Sequence, residues 1–80
     1  MAKRYLIEPE GWPCTLAHCR PGLFMRDGTL GLKTEYLSAG KLEVYVCESG
    51  EAFWGGTAEE KSRSALEVQP VQMVEGGDAD

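Results

Sequence analysis

The chain has 80 residues and a net charge of −5, with 42% of its side chains hydrophobic and 26% charged. A domain of this size buries only about 60% of the surface its unfolded form exposes, so its stability margin is thin and a metal or a second subunit would usefully widen it. No apolar run approaches the roughly 18 residues that span a bilayer, the acidic balance argues against general affinity for nucleic-acid backbone, and an odd cysteine count of three suits a reducing compartment.

The opening MAKRYLIEPE lacks an apolar stretch of signal-peptide length, so a cytoplasmic location is expected. Lys3 to Glu8 is a short strand candidate. Pro9 to Gly22 holds three prolines and two glycines and reads as an irregular connection with one helical turn at Thr15–His18. In LFMRDGTLGL, Asp27-Gly28 is a type I′ hairpin signal, because both central positions need positive φ. That loop sets Arg26 opposite Thr29, Met25 opposite Leu30, Phe24 opposite Gly31 and Leu23 opposite Leu32. Leu23, Met25, Leu30 and Leu32 then share one face, and Phe24 lies across Gly31 on the other.

The second strand runs on to Tyr36, and residues 37–40 form a loop. In the next strand, 42–47, Leu42, Val44 and Val46 take one face and Glu43, Tyr45 and Cys47 the other. A two-residue turn at Ser49-Gly50 would set Val46 opposite Phe53, Tyr45 opposite Trp54 and Glu48 opposite Glu51. Thr57 to Glu60 has the form of a capping box opening a helix of one or two turns, since KSRS is polar on all sides. Residues 66–74 read as a last strand, which Pro70 confines to an edge or a bulge. The acidic tail, 75–80, is expected to be disordered, leaving one domain over 1–74. The expected fold is all-β: five or six short antiparallel strands in a small SH3-like or half-open barrel, with a helical turn before the last strand.

The run CRPGLFMRDGTLGLKTEY, followed by EVYVCESGEAFWGG and VQPVQMV, resembles a group of small uncharacterised proteins encoded by bacteriophages and prophages. The resemblance covers about residues 19–74. It implies a phage or prophage origin and a bacterial host cytosol, and it brings no activity, cofactor or binding residue with it.

Two constellations carry chemistry. Cys14, His18, Cys19 and the distant Cys47 form a Cys3His set that tetrahedral zinc accepts. Their spacing is poor for it, because His18 and Cys19 are adjacent and Cys47 has no nearby partner. The competing readings are small packing residues beside a loop histidine, or a Cys14–Cys19 disulfide, and no cofactor is expected. A catalytic cysteine would need a base and a group to orient it, which His18 alone does not supply. The second constellation is the face carrying Tyr45 and Trp54, with Lys33 and Lys41 as nearby charges. Such a face suits recognition of a host or phage protein, or stacking on single-stranded nucleic acid. Alternatively the two aromatics are core residues covered by Trp12. The resulting expectation is a non-enzymatic interaction module, with self-association open and no membrane contact.

Overall fold

The computed structural model describes residues 3–78, with side chains from 5 to 76. The chain forms β1 (Lys3–Pro9), β2 (Cys14–Thr15), β3 (Gly22–Arg26), β4 (Thr29–Ser38), β5 (Lys41–Val46), α1 (Glu60–Ser64) and β6 (Glu67–Asp78). All pairings are antiparallel, in the order β1-β6-β3-β4-β5, with β2 also on β6. The mainly-β class and the helix before the last strand are as expected, but the barrel is not. β1 and β5 end the sheet on opposite sides and do not meet, so the sheet stays open.

The β3–β4 hairpin has the expected register, from Arg26 opposite Thr29 to Leu23 opposite Leu32. Asp27 and Gly28 take φ of 48° and 78°, the positive values a type I′ turn demands. Phe24 lies so closely over Gly31 that a Cβ there would stand 2.2 Å from the ring. This Phe24 face is the core face. Phe24 meets Phe53 edge-on at 5.2 Å, and Leu16, Cys19, Val44 and Val68 complete the cluster. Burying side chains of this size stabilises by about 1.5–3 kcal/mol each. Leu23, Met25 and Leu30 are only half-buried and Leu32 is exposed, because the opposite face of the sheet has no layer over it.

β4 extends past Tyr36 to Ser38, and a two-residue turn, Ala39-Gly40, replaces the expected four-residue loop. Its φ values are 53° and 77°, so Ala39 occupies the left-handed region without the compensation Asn or Gly would bring. Since Ala39 is exposed, Ala39→Asn is expected to raise stability by about 0.5–1 kcal/mol. An unchanged urea midpoint would mean the turn carries no such strain.

After β5 the chain turns through residues 47–50, with Gly50 N–H donating to Val46 O at 2.7 Å. Tyr45 therefore bridges Ala52 rather than Trp54, and Phe53 N–H donates to Val44 O at 2.9 Å. The register is offset by two residues from the expected one. An even offset keeps the faces sorted, so Phe53 still points inward and Trp54 outward. The like-charge pair of Glu48 and Glu51 is avoided, because Glu51 O instead accepts from Val46 N–H at 2.8 Å.

β6 is an inner strand, contrary to what Pro70 suggests for an edge. β1 and β2 lie along the same side of β6, and residues 10–13 loop out between them. Pro70 sits opposite that interruption, where only its carbonyl is engaged, by Glu10 N–H at 2.9 Å and Gln69 Nε2 at 2.8 Å. The missing donor thus falls where the partner strand is already broken. Residues 75–78, expected to be disordered, continue β6 against the start of β1, with Gly76 as the extra residue of a bulge. Residues 79 and 80 lie outside the described residues. No capping box opens α1: Thr57 Oγ1 accepts from Glu59 N–H at 3.2 Å, and Glu60 turns away to β5. Among the described residues no helix is long and apolar enough to cross a membrane.

Candidate functional site

A shallow groove of about 180 Å³ runs along the outer side of β5. Lys41, Glu43 and Tyr45 line it from β5, and Ala52 and Trp54 from the segment that follows. These residues converge for a local reason. Odd-numbered side chains of β5 face away from the core, and the antiparallel return of 51–54 brings Trp54 diagonally beside Tyr45. Two larger hollows, of about 310 and 400 Å³, are lined mainly by turn residues around Asp27–Thr29, Gly55-Gly56 and Cys47-Glu48, and they offer fewer side-chain anchors.

Two cations flank Trp54 in the groove. The Arg63 guanidinium lies 4.2 Å from the Trp54 ring centroid and the Lys41 ammonium 5.7 Å from it, a cation–π arrangement that fixes the indole. Arg63 is only 2% exposed; it donates from Nη1 to Phe53 O at 3.0 Å and from Nη2 to Leu42 O. Its Nη2 also stands 2.7 Å from Glu60 Oε1, while Nε finds no acceptor among the described residues. Glu60 Oε2 accepts from Leu42 N–H at 3.0 Å. The pair thus occupies both backbone groups of Leu42, as a neighbouring strand would, and closes this part of the β5 edge. Partial desolvation, then the adjacent Glu43 carboxylate, push the Tyr45 phenol above its usual value, so it stays a neutral donor.

Three of the four residues singled out for binding (Tyr45, Trp54 and Lys41) therefore share one groove. Lys33 does not join them. It points to the core face at 8% exposure, where its ammonium donates to Leu16 O at 2.8 Å, Ala17 O at 3.1 Å and Cys19 O at 2.6 Å. Parity could have revealed this, since Lys33 lies two residues beyond Gly31 on the Phe24 face. Trp12, proposed as a cover, is 88% exposed and does not line the groove.

Arg20 and Arg26 serve the fold in the same way. Arg20 donates to Leu23 O and Val71 O, at 2.9 and 2.8 Å, and pairs with Glu10; it bridges β3 and β6 where their ladder ends. Arg26 donates to Glu67 O at 2.7 Å. Lys33, Arg20 and Arg26 thus direct their charge to backbone carbonyls.

Cys14, in β2, lies near Cys19, which follows the turn expected at Thr15–His18; that turn forms, and Cys19 N–H closes it by donating to Thr15 O at 2.8 Å. All three cysteines are free thiols. Burial, then the neighbouring Cys14, push the Cys19 thiol up against the opposing pull of Lys33 and Arg20. His18 is exposed, its Nδ1 2.8 Å from Thr15 Oγ1, and Cys47 is exposed beyond the end of β5. Among the described residues no three His, Cys, Asp or Glu side chains converge as a metal site. Comparison with known proteins finds no matching family model, no matching curated protein and no matching solved structure.

Proposed function

We propose that this is a non-enzymatic interaction module, a phage or prophage accessory protein that binds a host or phage protein through the β5 groove. The observation that supports this reading is the meeting of Tyr45, Lys41 and a stacked Trp54 in one accessible concavity. A hollow of about 180 Å³ admits a single side chain rather than a folded surface. The fitting ligand is an extended segment that places one apolar residue between the aromatic rings, with an acidic residue near Lys41. Tyr and Trp make strong anchors because they present much area at little entropic cost. A non-enzymatic role is supported by the buried, upward-shifted Cys19 thiol and by the engagement of the His18 ring with Thr15.

Selection from a displayed library of random peptides tests this reading. Selected peptides are expected to perturb the amide signals of residues 41–45 and 52–54, and Tyr45→Ala is expected to weaken them at least about tenfold. Cys47→Ser should leave binding unchanged. Selected peptides that map elsewhere, or that bind Tyr45→Ala equally well, would remove the groove from consideration. Binding of single-stranded oligonucleotides at low salt, competed by salt, would favour the nucleic-acid alternative instead.

A further inference from the structure

The two edges of the sheet are treated differently. The β5 edge is covered by residues 51–53 and by the Glu60–Arg63 pair, whereas among the described residues no strand pairs with the outer side of β1. Which β1 groups face outward follows from the ladder. Glu10 N–H donates to Pro70 O, so Glu8 and Leu6, two and four residues earlier in the same register, bond to β6. The N–H and C=O groups of Tyr5 and Ile7 therefore point away from the sheet.

The side chains of this ribbon are also uncovered. Tyr5 is 58% exposed, Met73 52%, Leu6 47% and Ile7 41%. None of them belongs to the core cluster, and a two-stranded ribbon without backing is only marginally stable in water. The ribbon draws the molecule out to 45 × 25 × 21 Å, with a radius of gyration of 13.7 Å, against about 12 Å for a compact chain of this length. An apolar, unpaired and unbacked edge of this kind invites a further strand.

We infer that the occupant is a second copy of this chain, added antiparallel along β1 about a twofold axis at Leu6. The apolar run Tyr5-Leu6-Ile7 is self-complementary in that register. Tyr5 meets Ile7 of the second copy as a hydrogen-bonded pair, and Leu6 meets Leu6. The outward backbone groups of Tyr5 and Ile7 are the ones this register needs, so geometry and sequence select the same alignment. Tyr5, Ile7 and Met73 of both copies form one apolar stripe across the junction. The N–H and C=O groups of Tyr5 and Ile7 in both copies complete two hydrogen-bonded pairs across the axis, so the edge backbone left open in the single chain is bonded in the pair. The product is one continuous sheet with the β5 groove at each far end, and this pairing is independent of groove binding.

Sedimentation of the full chain over a micromolar concentration series tests the dimer. The wild type is expected at twice the monomer mass. Ile7→Pro removes an outward N–H but no bond to β6, so it should weaken dimerisation by about a hundredfold while near-UV circular dichroism stays native. Should that variant fail to fold, Leu6→Lys decides, because it sets two like charges face to face on the axis and should weaken the dimer most at low salt. In a Cys47→Ser background, Leu6→Cys should oxidise to a covalent dimer, since facing non-hydrogen-bonded positions lie about 4.5 Å apart, within disulfide reach. Tyr5→Cys, which faces Ile7, should cross-link far more slowly. A monomer at every concentration overturns the inference. So does a dimer that Leu6→Lys leaves unchanged, or one lost in Tyr45→Ala.

Discussion

Replacing Lys33 by methionine is expected to remove about 3 kcal/mol of stability, a large share of what an 80-residue domain possesses. The cause lies in the Thr15–Cys19 turn, a single helical turn whose terminal carbonyls have no partners within it. An ammonium has three donors, and here they meet three acceptors: Leu16 O, Ala17 O and Cys19 O. Methionine keeps the volume of the stem but leaves those carbonyls facing inward with nothing to bond. Each costs about 1–3 kcal/mol if it stays buried, and water entering the gap returns part of that. The turn also carries Leu16 and Cys19 into the core, so losing its anchor loosens the cluster as well. Lys33→Arg should not rescue, because a planar fork cannot fan its donors onto three converging carbonyls. Urea denaturation measures the loss, and thiol alkylation locates it. Cys19 is protected in the wild type and should become reactive in Lys33→Met, with exposed Cys47 as the internal reference. A variant within about 0.5 kcal/mol of wild type would show that the ammonium does not hold the turn.

How much of this was legible in the sequence depends on how local each signal is. The β3–β4 hairpin could be read because its turn residues and the parity of its strands are decided within ten residues. The second hairpin had its faces right and its register wrong. Ser49-Gly50 resembles a two-residue loop, but Gly50 closes a longer turn onto Val46. Its face sorting survived only because the error was even. The order of the sheet was not readable, because β1, β2 and β3 all reach β6 across long separations. Pro70 misled for that reason: what matters is the break in its partner strand, which lies some sixty residues earlier in the sequence. The groove was legible in part: Tyr45, Trp54 and Lys41 follow from strand parity, whereas Lys33 was placed on the wrong side and Arg63 was not read as part of it. The carbonyl-directed roles of Arg20, Arg26 and Arg63 leave no pattern at all. A basic residue in a polar run such as KSRS reads as a surface residue until the fold shows which acceptors surround it.

Arg63→Met should be the most damaging single change at the groove, costing about 3–5 kcal/mol. A helix of five residues does not stand alone in water, so α1 depends on what its side chains hold. Methionine would orphan the carbonyls of Leu42 and Phe53, leave Glu60 without its cation and remove the guanidinium from under Trp54. Replacing both members of a buried ion pair by apolar groups is often harmless. Here Glu60→Gln with Arg63→Met should be no better than Arg63→Met alone, because the partners left behind are backbone groups that cannot be mutated away. Acid provides an independent test. Burial pushes the Glu60 carboxyl up, but the Leu42 N–H, Arg63 and the Ser64 hydroxyl outweigh it and hold the carboxyl below its ordinary value of 4.5. A lowered folded pKa means the contribution is complete above the ordinary carboxylate range and fades as pH falls through the folded value. The stability difference between wild type and Glu60→Gln should therefore be constant near neutrality and shrink once the pH drops below about 4.5. A difference that stayed flat into strong acid would show that Glu60 does not hold Leu42, and that something else closes the β5 edge.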